Sequence, residues 1–251
     1  MKCMEVTVMY GWRARIGFIS PSSTLDTPAY EFYRMAPPGV TMVGTIMGIR
    51  VLTDEDIGRA LKALDEVAEQ YSKEKVDIVV LGGSPPVILG GVGSEKKLAE
   101  RMERASGIQA TTSQVAAISA LKALGVKRVA VASPFDDHQN SKLKQYLEGN
   151  GFKVPAVAGG VKEPLSEYAL LPNDLSYRLG REALRQAGSE ADGLYIPCAK
   201  WPTVENIKFL EMDTRLPVVT SIQAMLWYSL RKLGHRDRIE GFGKLFAIED
   251  L

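Results

Sequence analysis

The sequence has few of the side chains that bind metals or form disulfides. It contains two cysteines and two histidines in 251 residues, which excludes a disulfide scaffold and disfavours a zinc site built from several such ligands. It also lacks the roughly 18 uncharged apolar residues in succession that predict a membrane span. Glu5 interrupts the opening segment before a signal-peptide core could form. We expect a cytoplasmic protein with reduced thiols and without a metal, a cofactor or a membrane partner.

An excess of charge of one sign is missing as well. Lys and Arg number 31 against 30 for Asp and Glu, a formal net charge of +1, so nucleic acid is not an expected partner. Hydrophobic residues make up 45% and charged residues 24% of the chain, as in globular proteins with a buried core. The length accommodates one large or two small domains at roughly 100 to 200 residues each.

Short β-branched runs alternate with helical patterns along the chain. A helix is predicted after Thr53, which precedes an acidic first turn and apolar residues at helical spacing as far as Tyr71. Further helices are predicted from Ser94 and around residues 141–146. Six runs are apolar with almost no alternation, as in strands buried on both faces of a parallel sheet: 15–20, 40–47, 76–81, 126–133, 192–196 and 216–220. This order predicts an α/β fold with parallel sheets flanked by helices.

Three segments recur in the same order in the two halves of the chain. The first strand, RIGFISP from Arg15, recurs as RVAVASP from Arg128, and DIVVLGG at 77–83 recurs as DGLYIPC at 192–198. TTSQVAAISALKALG at 111–125 aligns without gaps on TSIQAMLWYSLRKLG at 220–234. We infer a duplication that produces two pseudo-symmetric Rossmann- or flavodoxin-like halves. The expected domains are 1–125 and 126–251, with part of the C-terminal segment packing on the first half.

Two such halves would surround a single cleft with the loops that follow their strands. Ligands of open parallel sheets bind beyond the carboxyl ends of the strands. The segments expected at this cleft are small, hydroxyl-bearing and rich in Gly and Pro: 20–24, 82–86, 111–113, 133–140, 197–200 and 220–221. They are suited to holding a small polar ligand through N–H and O–H groups.

Cys198 is the main candidate for a catalytic residue. It ends the third strand of the second half shortly before Pro202, a residue accepted at the start of a helix. Unpaired N–H groups near a helix N-terminus favour a thiolate, although a buried cysteine can also serve only in packing. The repeat aligns Cys198 with Gly83, so two thiols cannot act on opposite faces of a substrate. Cys3 is assigned no function.

A set of short motifs connects the chain with a known group of enzymes. The motifs are PSST at 21–24, the third strand running into Gly83 and Ser84, TTS at 111–113, GVKRVAVASPFDD at 125–137, Cys198, and GFGKLF at 241–246. Together they resemble the aspartate/glutamate racemase superfamily, and within it the arylmalonate decarboxylase and maleate cis-trans isomerase branches. In that superfamily the racemases and the isomerase carry a cysteine on each side of the cleft. Arylmalonate decarboxylase is similar to this chain in having glycine first and cysteine second.

The resemblance implies a cofactor-independent enzyme that acts on a small mono- or dicarboxylic acid. Loss of CO2 leaves an enediolate without the help of a base, so one thiol, Cys198, suffices to protonate it on one face. The residues expected to bind the substrate or the oxyanion are Ser22, Ser23, Thr24, Ser84, Thr111, Thr112, Phe135, Asn140, Ala199 and Lys200.

The chain departs from the superfamily at two of the expected cleft loops. Ser84 and Pro85 stand where the family typically has Thr-Ser, and proline supplies neither an N–H nor a hydroxyl. Phe135 stands where the family usually has Tyr. Two donors to a carboxylate or enediolate are thus absent, so we expect the substrate or the reaction to differ from those of the named relatives.

Two other functions stay open at this point. One is a racemase or isomerase that pairs Cys198 with a non-cysteine partner such as Ser84 or His138. The other is a non-catalytic protein that binds a small carboxylate. The sequence also leaves open whether the chain forms a homo-oligomer.

Several further patterns have simpler interpretations. The glycines at 82–93 lack the order of a phosphate-binding loop. Asp136 and Asp137 are expected to cap a helix rather than to hold a metal. Trp201 and Phe135 are candidates for an apolar pocket that accepts an aryl or alkyl group.

Overall fold

The computed structural model describes residues 10–251. Two parallel four-stranded sheets with flanking helices form the α/β fold that the sequence predicts. Among the described residues, no helix is long and apolar enough to cross a membrane.

The elements follow one another as alternating strands and helices. The first half contains β1 (Ala14–Ser22), α1 (Asp26–Met35), β2 (Val40–Ile49), α2 (Asp54–Lys62), α3 (Leu64–Glu69), β3 (Ile78–Leu81), α4 (Pro85–Ile88), α5 (Ser94–Ser106), β4 (Ala110–Thr112) and α6 (Ser113–Ala123). The second half contains β5 (Val129–Ser133), α7 (Asp137–Gly149), β6 (Val157–Gly159), α8 (Leu175–Ala187), β7 (Gly193–Ile196), α9 (Val204–Thr214), β8 (Val218–Thr220) and α10 (Ser221–Lys232). Short 3₁₀ turns lie at Gln70–Lys73, Leu165–Leu170, Gly188–Glu190 and Lys244–Ala247.

The two sheets have the same topology. The first has the order β2-β1-β3-β4 and the second the order β6-β5-β7-β8, and neighbouring strands are parallel throughout. Every strand of one sheet therefore has a counterpart at the same place in the other, as expected from the repeat. The division into domains at 125 and 126 stays a prediction.

The repeat extends to individual hydrogen bonds. The carboxylate of Asp77, just before β3, accepts from the backbone N–H of Arg15 at 2.7 Å, and Asp192, just before β7, does the same for Arg128 at 2.8 Å. In both halves the aspartate N–H donates to the carbonyl of that arginine at 2.8 Å. Both sheets are thus joined at the start of their third strand by the same pair of interactions.

Most of the predicted elements are present, with two kinds of difference. The structure adds β4 and β6, strands of three residues each that are too short to show a hydrophobic pattern. The helix predicted through Tyr71 ends at Lys62 and resumes at Leu64, because Ala63 adopts a ψ of 1°. Ile57 and Tyr71 are still buried, so the pattern predicted the buried face correctly but not the break.

Several contacts join the two halves. Helices α6 and α10, which derive from the clearest sequence repeat, pack against each other. Asp54 of α2 forms an ion pair with Lys142 of α7 at 2.6 Å. In the C-terminal segment, Asp237 pairs with Arg13 of the first half at 2.8 Å. The two halves are thus held together by helix packing and by ion pairs.

Candidate active site

The turns after β3 and β7 have the same backbone conformation. Gly83 has a φ of +77° and Cys198 a φ of +80°, in the left-handed region that glycine adopts readily and other residues avoid. The two turns are thus equivalent in geometry and differ in their side chain. Holding a non-glycine residue in this region costs of order 1 to 3 kcal/mol, and such strain is concentrated at functional sites.

The first turn has no room for a side chain. A Cβ atom placed on Gly83 would lie 2.6 Å from the Cγ of Pro21. The carbonyl of Gly83 is held by the Ser113 hydroxyl, which donates to it at 3.1 Å. A second thiol at this turn would therefore require Pro21 to move.

Both turns line one small cavity between the two halves. Its free volume is about 40 Å³, enough for roughly three water molecules. Of the residues that line it, Cys198 and Lys200 are the ionisable ones, and most of the others are apolar. The lining consists of Ser20, Pro21, Ser22, Pro28, Ile49, Leu52, Gly83, Ser84, Pro85, Pro86, Phe135, Leu165, Cys198, Ala199 and Lys200.

Some of the predicted binding residues lie in this lining and others do not. Ser22, Ser84, Phe135, Ala199 and Lys200 line the cavity. Ser23, Thr24, Thr111, Thr112 and Asn140 lie outside it.

The residues outside the lining have other contacts. The Thr112 hydroxyl caps α6 by accepting from the N–H of Val115 at 3.2 Å. The amide of Asn140 bonds to the Ser133 hydroxyl at 2.6 Å and to the Phe135 carbonyl at 2.7 Å, which holds the loop after β5. These two side chains thus stabilise the cleft loops without lining the cavity.

Four lining residues were not identified from the sequence: Pro28, Ile49, Leu52 and Leu165. Each is apolar and has no reactive group, so its side chain gave no chemical reason to predict it as a site residue. Ile49 had the nearest signal, since it lies two residues beyond the strand predicted at 40–47 and ends the observed β2. The others come from loops and from a helix start whose place in the cleft depends on the assembly of the two halves.

The Cys198 thiol is nearly inaccessible, with 6% of the residue exposed. Burial raises its pKa to about 12. The backbone N–H of Lys200, its ammonium charge and the N–H of Trp201 favour the thiolate, as expected of a helix-proximal turn, but they only partly oppose the effect of burial. The thiol is therefore protonated at neutral pH, which suits a proton donor and not a base.

Lys200 reaches from the second half to the first beside this thiol. The residue is 5% exposed, and its Nζ donates to the Thr24 hydroxyl and lies 3.6 Å from Oδ1 of Asp26. Thr24 in turn donates to the same carboxylate at 2.9 Å. A positive charge is thus held at the wall of an otherwise apolar cavity.

Glu31 of α1 anchors the loop that carries Cys198. Its carboxylate accepts from the backbone N–H groups of Thr203 at 2.5 Å and Val204 at 3.0 Å, and from the Thr203 hydroxyl at 3.0 Å. Burial raises its pKa to about 7 against these donors. Glu31 thus caps α9 of the opposite half and fixes the end of the loop 198–203.

Ser84 is the polar group opposite Cys198. Its hydroxyl is buried and has no hydrogen-bond partner among the described residues. Tyr195, behind it, donates to Gln114 of the other half at 2.8 Å. Burial raises the pKa of the Tyr195 phenol to about 12, and the nearby hydroxyls of Ser84 and Ser221 oppose that rise. The Ser84 hydroxyl thus lies buried beside the Tyr195 phenol.

The two histidines lie away from the cavity. His138 is on α7 with its Nε2 3.4 Å from Asp54, and most of its side chain is exposed. The Nε2 of His235 lies 3.1 Å from the carbonyl of Arg13. His138 is therefore not placed to exchange a proton with a ligand beside Cys198.

Other residues singled out in the sequence have structural contacts. Asp136 caps α7 by accepting from the N–H of Gln139 at 2.8 Å, which confirms the predicted cap. The indole N–H of Trp201 donates to the carbonyl of Pro197 at 2.8 Å, and the side chain is fully buried outside the cavity lining. Cys3 lies outside the described residues.

The profile of the arylmalonate decarboxylase family matches residues 16–246. The chain belongs to the arylmalonate decarboxylase family. It is 27% identical to the arylmalonate decarboxylase of Bordetella bronchiseptica over 92% of this chain and 95% of that protein.

Solved structures show the same fold. A liganded arylmalonate decarboxylase mutant, with a glycine changed to cysteine and a cysteine to serine, has a TM-score of 0.84 at 24% identity, covering 93% of this chain and 98% of that one. The maleate cis-trans isomerase of Nocardia farcinica, a cysteine-to-serine mutant with a covalently bound succinylcysteine intermediate, has a TM-score of 0.85 at 20% identity, covering 95% and 99%. The relatives of this arylmalonate decarboxylase family member are thus enzymes.

The left-handed conformation of Cys198 leads to a testable prediction about the stability of this family member. Cys198→Gly should be at least as stable as Cys198→Ala, the reverse of the usual order. Glycine removes a strain of about 1 to 2 kcal/mol, whereas losing one buried methyl group costs about 0.8 kcal/mol. Guanidinium unfolding of the two variants measures the difference. A Cys198→Ala protein that is more stable than Cys198→Gly by about 1 kcal/mol would contradict it.

The buried thiol makes a second prediction, about reactivity. In a Cys3→Ser background, the alkylation rate of Cys198 by iodoacetamide should keep rising about tenfold per pH unit above pH 9, because the thiolate fraction grows until the pH reaches the pKa. The rate of an ordinary thiol is half-maximal at its pKa of about 8.5 and levels off about one pH unit above it. A plateau from about pH 9.5 upwards, with circular dichroism showing a folded chain throughout, would contradict the burial argument.

Proposed function

We propose that this protein decarboxylates a small malonate-like dicarboxylate and that Cys198 protonates the resulting enediolate. The observation that carries the proposal is the protonated thiol of Cys198 at a cavity whose opposite turn, at Gly83, has no side chain. A site with one proton donor and no facing base suits a reaction that consumes one proton and removes none.

The proposed reaction balances with the groups present. The bond between the α-carbon and one carboxylate breaks, CO2 leaves, and the electron pair remains on the α-carbon and the retained carboxylate as an enediolate. The Cys198 S–H then gives its proton to the α-carbon. The thiolate that is left is stabilised by the N–H groups of Lys200 and Trp201 and regains a proton from water.

The enediolate needs donors that are in place before the reaction. The backbone N–H groups of Ser84 and Ala199 flank the two turns at the cavity and are the candidate donors. Removal of one such preorganised donor commonly costs about 2.7 to 4 kcal/mol of transition-state stabilisation. Pro85 and Phe135, also in the lining, offer no side-chain donor. The backbone N–H groups therefore contribute a larger share of the stabilisation than they would in a site rich in hydroxyls.

The apolar side of the cavity favours the departure of CO2. Ile49, Leu52 and Leu165 line it and provide no polar group to solvate a carboxylate. An ionised carboxylate held against them is poorly solvated, whereas CO2 is neutral and apolar.

The proposal predicts the products of a simple assay. With methylmalonate and phenylmalonate as probes in D2O, the protein should release CO2 and place one deuterium on the α-carbon of the product. Cys198→Ala should lower turnover by about 10² to 10⁴-fold, the usual contribution of a positioned acid. Cys3→Ser should leave the rate unchanged, as the matched thiol control.

Other outcomes would contradict the proposal. Deuterium exchange into a chiral monocarboxylic acid without CO2 release would indicate a racemase, with Ser84 as the partner of Cys198. Conversion of maleate to fumarate would indicate an isomerase like the named relatives. Tight binding of malonates without turnover would indicate a binding protein.

A further inference from the structure

Lys200 has fewer partners than a buried ammonium group normally has. An ammonium has three N–H donors. Among the described residues, the Thr24 hydroxyl accepts from one of them, and the nearest carboxylate oxygen, on Asp26, lies at 3.6 Å, beyond an ordinary hydrogen bond. At least one N–H thus has no partner among the described residues, and Lys200 is one of the residues that line the cavity.

The charge of Lys200 is also incompletely balanced. The side chain of Lys200 is 6% exposed, whereas that of Asp26 is 56% exposed, so water screens the carboxylate more than it does the ammonium. Burying an ammonium is unfavourable unless an anion or hydrogen bonds compensate for the lost hydration. A link that only joined the halves would not need burial: Arg34 and Glu205 form such a link at 2.7 Å with both side chains half-exposed.

We propose that Lys200 binds the carboxylate that the substrate retains, and that it thereby restricts the site to dianionic substrates. This inference rests on the proposed decarboxylation and names its substrate class: a small acid with one carboxylate at Lys200 and a second against the apolar wall. Lys200 is two residues from Cys198, and its charge acts on that thiol. The thiol that protonates the α-carbon and the ammonium that binds the retained carboxylate thus come from the same loop.

The assignment of the retained carboxylate follows from the charge changes during the reaction. Negative charge grows on the retained carboxylate as it becomes an enediolate, so a cation there stabilises the transition state more than the ground state. The leaving carboxylate loses its charge as it becomes CO2. A cation at that group would stabilise the ground state and slow the reaction.

The anion site can be tested without a substrate, by alkylating Cys198 in a Cys3→Ser background. Iodoacetate and iodoacetamide react with the same thiolate, so a change in the thiol pKa cancels in the ratio of their rates. Lys200→Met removes the charge and keeps most of the stem. We expect this variant to lower the ratio of iodoacetate to iodoacetamide rates by about tenfold, the low end of what a charged cleft contributes to oppositely charged molecules.

Matched variants separate anion binding from a structural role. Lys200→Arg should keep the ratio near that of the parent, and Asp26→Asn should raise it. Lys153→Met, at an exposed pair with Glu190 within the second half, should leave it unchanged. An unchanged ratio in a folded Lys200→Met protein overturns the inference. If Lys200→Met does not fold, the rate ratios of Lys200→Arg and Asp26→Asn test the inference instead. A ratio that Asp26→Asn does not raise would then overturn it.

The same protein tests the substrate class by protection. Sodium malonate should slow the alkylation of Cys198 by iodoacetamide in the Cys3→Ser protein, and neutral malonamide should not. Equal protection by both contradicts a cation site. These results do not depend on turnover, so an inactive protein that passes them retains the anion site and loses only the proposed decarboxylation.

Discussion

Exclusion of water from the space between the two halves determines the chemistry of this site. The Cys198 thiol is held as a neutral acid because burial outweighs the N–H groups and the lysine that would otherwise ionise it. The same exclusion strengthens the field of Lys200. The groups that keep the halves together are therefore part of the site, including Glu31, which joins α1 to the start of α9 across the cleft.

The duplication gives the site a symmetric backbone, and different side chains at equivalent positions make the site asymmetric. Both third strands end in a left-handed turn, at Gly83 and at Cys198, so the fold provides two equivalent positions facing one cavity. Pro21 occupies the space that a side chain on Gly83 would need. A second thiol for two-sided proton transfer would thus require Pro21 to move, and this chain has a thiol at one of the two positions. The same backbone can accommodate different reactions by exchanging a few side chains at its strand ends.

Much of the architecture could be predicted from residue order. Apolar strands, helical spacing and the recurrence of RIGFISP and RVAVASP indicated two α/β halves, because buried parallel strands and amphipathic helices leave strong local patterns. The Thr53 and Asp136 caps were identified for the same reason, since a cap acts on groups within one turn. The strands at 110–112 and 157–159 were missed because three residues are too few for a pattern, and their pairing with β3 and β5 depends on residues distant in the chain.

The sequence by itself determined the fold class, the repeat, the family and the candidate Cys198 with its glycine counterpart, because each of these depends on local order or on alignment. Only the tertiary structure decided which residues surround the thiol and in what protonation state it is held. Thr111 and Asn140 proved to lie outside the cavity lining, and Ile49, Leu52 and Leu165 to lie within it. The pKa of Cys198 reflects loss of water from all sides, and residues from both halves produce that loss. The N–H groups near Cys198 predicted a favoured thiolate. The structure reverses that prediction because desolvation, the larger effect, arises only when the two halves pack together.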